Sequence, residues 1–156
     1  MPKIDIPLVV PRKGSSYPAP FAQFVAERSK RALGDAAGLR DFGVNLVTLP
    51  PGAWSSQRHW HSAEDEFVYV LSGEVTLVTD AGATVMLAGE CAGFAREVRD
   101  GHHFINNSNT DVVYIEVGTR ADNDVCHYPD IDLHSDYKDD WFSRKDGTPY
   151  PRPERG

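Results

Sequence analysis

From Phe42 to Val117, apolar and polar positions alternate in short runs cut by glycine and aspartate. A period of two sends successive side chains to opposite faces of a strand. The runs predict strands at Phe42–Leu49, Gln57–His61, Glu66–Leu71, Glu74–Thr79, Thr84–Leu87, Cys91–Phe94, His103–Asn107 and Val112–Val117. Leu71-Ser72-Gly73-Glu74 and Thr79-Asp80-Ala81-Gly82 read as hairpin turns. Many short strands with close turns and few helices predict an all-β antiparallel sandwich or barrel. Outside this block the pattern changes. Five prolines between Pro2 and Pro20 mark an extended arm. Phe21, Phe24, Val25, Ala32 and Leu33, with Pro20 before and Gly34 after, predict a short helix over 21–33. Residues 121–156 carry one turn signal, Asp146-Gly147, and no strong periodicity. The division is an arm with a helix (1–41), a barrel (42–118) and a tail (119–156), all within one domain, as 156 residues suggest.

Charge sharpens this division. The net charge is −7, and the stretch from Asp122 to Asp140 carries −6 of it, from seven aspartates and Lys138. The remainder is nearly neutral. An acidic balance disfavours nucleic acid and anionic membrane surfaces as partners. The longest apolar run, Phe67 to Leu71, is far short of a membrane span. Met1 to Pro11 lacks an apolar core of signal-peptide length, so a cytoplasmic location is expected. Cys91 and Cys126 are too few for a disulfide framework and read as free thiols, Cys91 as a buried structural one.

The candidate chemistry lies in Arg58-His59-Trp60-His61-Ser62-Ala63-Glu64-Asp65-Glu66-Phe67. In a strand His59 and His61 share a face and Trp60 takes the other. A hairpin can bring Glu66 across from them. Two imidazoles and a carboxylate suit a divalent ion such as Fe, Mn, Ni or Zn. An isolated His-x-His pair is more often surface or packing. Gly101-His102-His103-Phe104-Ile105-Asn106 shifts that balance, because it supplies further histidines in the same run of strands. Strand parity then gives a pocket lining: Gln57 on the His59 face, Val68 and Val70 on the Glu66 face, and Phe104 and Asn106 on the His102 face. Core packing explains each of these individually as well.

These residues resemble the motifs of the cupin superfamily, in particular small single-domain bacterial cupins of the cupin-2 conserved-barrel type. Gly52, His59, His61, Glu66 and Gly73 match the first motif, with Glu66-Phe67-Val68-Tyr69-Val70-Leu71-Ser72-Gly73-Glu74 matching closely. Gly89, His102 and Asn106 match the second more loosely. His59 falls one position late, Ala95 stands where proline is usual, and the second motif is two residues longer. The resemblance implies a jelly-roll β-barrel with one divalent metal held by His59, His61, Glu66 and His102. His102 is preferred to His103 because it lies four before Asn106, as in the family. Open coordination positions would take water or a small molecule. A homodimer is also expected.

Two functions are consistent with such a site. One is a metal-dependent enzyme on a small polar or carboxylated molecule, with dioxygenase, isomerase, decarboxylase and lyase chemistry all open. The other is a binding or sensing module in which the metal is structural. No separate general base stands out. Glu64 and Asp65 read as a solvated loop, with Glu64 a second choice of ligand. Arg96 and Arg99 could bind a carboxylate but read as a charged loop. His127 and His134, with Asp130 and Asp132, could form a second ion site, although their spacing matches no loop motif. Trp54, Trp60 and Trp141 read as cover for the barrel exterior or a subunit contact. Tyr128, Ile131, Leu133, Trp141 and Phe142 suggest that the tail packs on the barrel or on a second subunit.

Overall fold

Apolar alternation builds two facing sheets with the core between them. A computed structural model describes residues 3–152; Pro2, Pro153 and the outermost ends of the arm and tail lie outside them. In chain order the strands are β1 (Arg12–Lys13), β2 (Ser29–Ala32), β3 (Phe42–Leu49), β4 (Trp60–His61), β5 (Glu66–Ser72), β6 (Glu74–Thr79), β7 (Gly82–Leu87), β8 (Cys91–Phe94), β9 (His103–Ile105), β10 (Val112–Thr119), β11 (Val125–His127) and β12 (His134–Asp136). A six-stranded sheet runs β1-β2-β3-β10-β5-β8 and a three-stranded sheet β7-β6-β9. All pairings are antiparallel. The jelly-roll architecture expected from the sequence is therefore present.

Val47, Leu49, Val68, Val70, Val112 and Tyr114 of the larger sheet pack against Val75, Met86 and Phe104 of the smaller. Burying each such side chain stabilises the fold by about 1.5–3 kcal/mol. The turn joining β5 to β6 depends on Gly73. Its φ is +79°, and a Cβ there would lie 2.8 Å from the Asp111 carbonyl oxygen.

Four expectations are corrected. The helix over 21–33 is absent: Gln23–Val25 is a 3-10 turn, Ser29–Ala32 is β2, and only Leu33–Ala36 is helical. Pairing of β2 along β3, from Ser29↔Thr48 to Ala32↔Asn45, outweighs the local helical spacing. Cys91 is exposed and Cys126 is the buried thiol, because Cys91 falls on the outer face of β8. The strand at 57–61 is regular only at Trp60–His61. The tail is not irregular throughout, since β11 pairs with both β12 and β4.

The tail and arm build a second core. Cys126, Tyr128, Leu133 and Tyr150 are buried together, with Tyr17 and Phe21 of the arm and Ile131, Trp141 and Phe142 of the tail around them. Tyr17 meets Tyr128 edge-on at 5.9 Å and Phe21 meets Tyr150 at 5.5 Å. The tail thus folds back onto its own chain, with strand β11 hydrogen-bonded to the His-x-His segment.

Candidate metal centre

Three chain segments converge at one end of the barrel. His59 and His102 face each other in an isolated bridge, with His59 N–H donating to the His102 carbonyl at 3.1 Å and His102 N–H returning a bond at 2.8 Å. His61 sits two residues on, in β4, and Glu66 opens β5. Their functional atoms meet. His102 Nε2 lies 2.9 Å from Glu66 Oε2, and the Nε2 atoms of His59 and His61 each lie 3.6 Å from the same oxygen.

The far side of the rings decides which nitrogen is free. His59 Nδ1 donates to the Gln57 carbonyl at 2.8 Å. His61 Nδ1 donates to Asp124 Oδ2 at 2.6 Å. Both tautomers are thereby set with the Nε2 lone pair facing inward, as metal binding requires. His102 stacks flat on Phe94 at 3.5 Å, and its buried Nδ1 has no partner.

Electrostatics agree with this geometry. Burial alone would raise the Glu66 pKa, but the hydrogen bond from His102 and the nearby rings of His59 and His61 hold it well below the ordinary value. Burial works against charge on His61, yet Asp124 and Glu66 outweigh it and raise its pKa. Burial lowers His102. Among the described residues three groups could hold an ion: His59 with Glu66 and His102; His61 with Glu64 and Asp124; and His59 with His61 and Cys126. Burial pushes the Cys126 thiol up, which disfavours the thiolate that a metal needs. The two groups without a thiol, around Glu66 and around Asp124, offer the nitrogen and carboxylate donors that suit a divalent ion.

These groups form one wall of a cavity of about 400 Å³, a size suited to a small molecule. Val68 and Phe104 line it as parity predicts. The other three pocket expectations do not hold. Gln57 does not line this cavity: its Nε2 donates to the Phe21 carbonyl at 2.7 Å, since residues 57–59 are not a regular strand. Val70 is wholly buried in the core below the cavity. Asn106 is also fully buried and braces a loop, donating to the Leu49 and Thr110 carbonyls at 2.7 and 2.8 Å. His103 turns away, donating from Nδ1 to the Ser56 carbonyl at 3.1 Å with its ring against Trp54.

Other residues resolve similarly. Glu64 is half-buried and lines the cavity, with Oε1 accepting the Ala121 N–H at 2.9 Å. Arg96 pairs with Asp65, and Arg99 lies over Trp60. Trp60 stacks on His127 at 3.9 Å, Trp54 stacks on Phe24, and Trp141 joins the second core. The tail groups weighed as a second ion site do not assemble, because Asp130 is bound by Arg58 at 2.6 and 2.7 Å while Asp132 accepts the Lys145 N–H. Asp124, Lys30, Arg28 and Glu116 are cavity residues that the sequence reading missed. Parity through Val112 and Tyr114 would have found Glu116. No local signal distinguished Asp124 from its acidic neighbours.

Comparison with known proteins places this geometry. A family model described as a cupin domain matches residues 45–118. No curated protein matches the chain. Among solved structures, a sugar phosphate isomerase of the cupin superfamily from Silicibacter pomeroyi is 42% identical, with a TM-score of 0.91 over 96% of this chain and 97% of that one. A candidate sugar phosphate isomerase from Acidithiobacillus ferrooxidans is 32% identical, with a TM-score of 0.71 over 82% and 83%. A predicted oxalate decarboxylase from Thermotoga maritima, at 21% identity and a TM-score of 0.61 over 76% and 99%, shares the fold alone. A barrel of this topology, the two motifs and a relative of this identity along almost its whole length leave one assignment: the chain belongs to the cupin superfamily.

Proposed function

We propose that the protein is a metal-dependent isomerase that interconverts aldose and ketose forms of a phosphorylated sugar. The carrying observation is the convergence of three histidine Nε2 atoms on Glu66 Oε2 at the wall of a small-molecule cavity. The similarity to the Silicibacter pomeroyi sugar phosphate isomerase narrows the reaction class. His59, His61, Glu66 and His102 would hold one divalent ion, whose Lewis acidity polarises a carbonyl oxygen.

Aldose–ketose exchange also needs a proton carrier beside the reacting carbons. Glu64 takes that role: it lines the same cavity, and one carboxylate oxygen is held by Ala121 while the other is left for the substrate. The apolar wall of Val68, Phe94 and Phe104 limits water beside the reacting carbons. The test is turnover of aldose phosphates by protein loaded separately with Fe, Mn, Ni and Zn, with solvent deuterium followed into the product. Metal uptake with turnover and deuterium at the carbon beside the carbonyl is the expected result. Absence of metal uptake, or uptake without turnover of any aldose phosphate, would refute the reading.

The working unit is a homodimer in this proposal. Phe67, Tyr69 and Leu71 are exposed on the outer face of β5, in cross-strand rows with Val117 and Val44 and with Ile115 and Leu46. An outer sheet face is ordinarily polar, so an apolar one calls for a covering surface. Light scattering of the Tyr69→Asp variant should show monomer where the parent shows dimer. Two unpaired thiols, Cys91 exposed, fit a reducing compartment, and we assign the protein to the cytoplasm.

A further inference from the structure

The end of the cavity away from the histidines has the opposite character. Strand β2 pairs with β3 so that Lys30 stands opposite Val47, and Val47 stands opposite Tyr114. Directly opposed residues of an antiparallel pair share a face. Val47 and Tyr114 are both wholly buried, so this row points into the barrel, and Lys30 points in with it. A lysine on the inner face of a sheet is costly unless something pairs with it. Among the described residues, Lys30 has no hydrogen-bond or ion-pair partner. It lines the same cavity as the histidine cluster.

Arg28, two residues earlier on the same side, lines the cavity too. Its Nη1 donates to the Ser55 carbonyl at 2.5 Å and its Nη2 to the Gly14 carbonyl at 3.2 Å. Neither acceptor is a carboxylate, so its charge is not neutralised. Its Nε–H is buried with no acceptor at all. None of the cavity carboxylates pairs with either cation: Glu66 meets the histidines, Asp124 meets His61, Glu64 accepts from Ala121 N–H and Glu116 accepts from the Asn45 amide at 3.0 Å. The cavity therefore has nitrogen and carboxylate donors for a cation at one end and, at the other, two cations without an ion-pair partner among the described residues. The two ends lie on rows four residues apart, about 13 Å along the strands.

We infer that Lys30, backed by Arg28, is the anion subsite of this cavity and binds the phosphate monoester of the substrate. The inference rests on the isomerase reading for the identity of the substrate, while the subsite itself rests on the placement of the two cations. A charge-assisted contact to phosphate anchors one end of a sugar chain, and the other end is then held at the histidine wall.

Titration calorimetry of the metal-loaded protein with inorganic phosphate, D-ribose 5-phosphate, free D-ribose and D-gluconate tests it, in parent and Lys30→Met forms. Lys30→Met keeps the stem and removes the charge. Circular dichroism and metal content of the variant should match the parent. The parent should bind the two phosphate compounds, and the variant should bind them about ten- to a hundredfold more weakly. Equal phosphate affinity in the two forms, or no phosphate binding by the parent, would overturn the inference. Lys30-dependent binding of D-gluconate but not of phosphate would overturn the choice of phosphate. If the parent isomerises an aldose phosphate and Lys30→Met leaves its KM unchanged, the subsite fails and the isomerase reading stands. If phosphate binding depends on Lys30 but no aldose phosphate turns over, the subsite stands and the isomerase reading fails.

Discussion

The barrel and the arm–tail lobe reach stability by different means. In the barrel, strands pair over six to eight residues without a break in register, and aliphatic side chains from two sheets pack into one core. In the arm and tail, pairing is short, and aromatic rings meeting edge to face hold segments far apart in sequence. Function is divided along the same line. The barrel brings His59, His61, Glu66 and His102 together. The lobe adds what orients and encloses them: Asp124 on the outer nitrogen of His61, and Tyr17 and Tyr128 on the cavity wall. Neighbouring strand ends can bring four side chains to one point, but the outer nitrogen of a ligand ring needs a partner from elsewhere in the chain.

The largest effect should come from within the barrel. His61→Ala should lose most of the bound metal while keeping the parent circular dichroism spectrum, because side-chain packing rather than the ion holds the core. Elemental analysis reads the loss, and undiminished metal would remove His61 from the proposed set. Next is the core of the lobe. Leu133 is 1% exposed, so Leu133→Ala should cost about 2–5 kcal/mol in urea unfolding. A single shifted transition is expected if the lobe and barrel unfold together. A separate early transition would show that the lobe is an independent appendage.

Asp124→Asn addresses the link between the two regions. It should weaken metal affinity by about ten- to a hundredfold in chelator competition while the fold survives. Unchanged affinity would reduce Asp124 to a brace for Ala63 N–H and Ser62 Oγ, which its Oδ1 also accepts.

The smallest effect is the pH dependence of the metal-free protein. Glu66 is held below its ordinary 4.5, so its contribution is present above that value and is lost as pH falls through the folded pKa. His102, lowered by burial from 6.5, acts in the same direction, its contribution falling away as pH drops below 6.5. His61 opposes them: its raised pKa stabilises below 6.5, and that contribution is lost as pH rises through the folded value. Below pH 4.5 the parent should therefore lose stability more steeply than Glu66→Gln. Parallel acid limbs in the two proteins would contradict this account of Glu66.

Much of the barrel was legible because strand alternation is local. Phe42–Leu49, Glu74–Thr79 and Cys91–Phe94 appear with the expected bounds, and the turn at Gly73 needs a backbone that glycine adopts readily. Inward placement of Val68 and Phe104 followed from the same alternation. Parity misled where regular structure stopped. Gln57 lies in an irregular segment, and Asn106 lies just past the end of β9, so neither obeys the strand rule. The helical spacing of Phe21, Phe24 and Val25 was genuine, but a neighbouring strand with free hydrogen-bonding groups claimed residues 29–32. That same misreading hid Lys30, which a helix would have left on an outer surface.

By itself the sequence determined the strand block, its hairpins and the cupin motifs, because each depends on spacing within one or two strands; His102 rather than His103 followed from the cupin resemblance. Tertiary structure alone decided the rest. It turned one aspartate of an acidic tail inward onto His61, set Lys30 opposite Val47 on an inner face, and closed the cavity with rings from both ends of the chain. Those contacts join residues dozens of positions apart, and their energy comes from burial and pairing that exist only once the chain has folded.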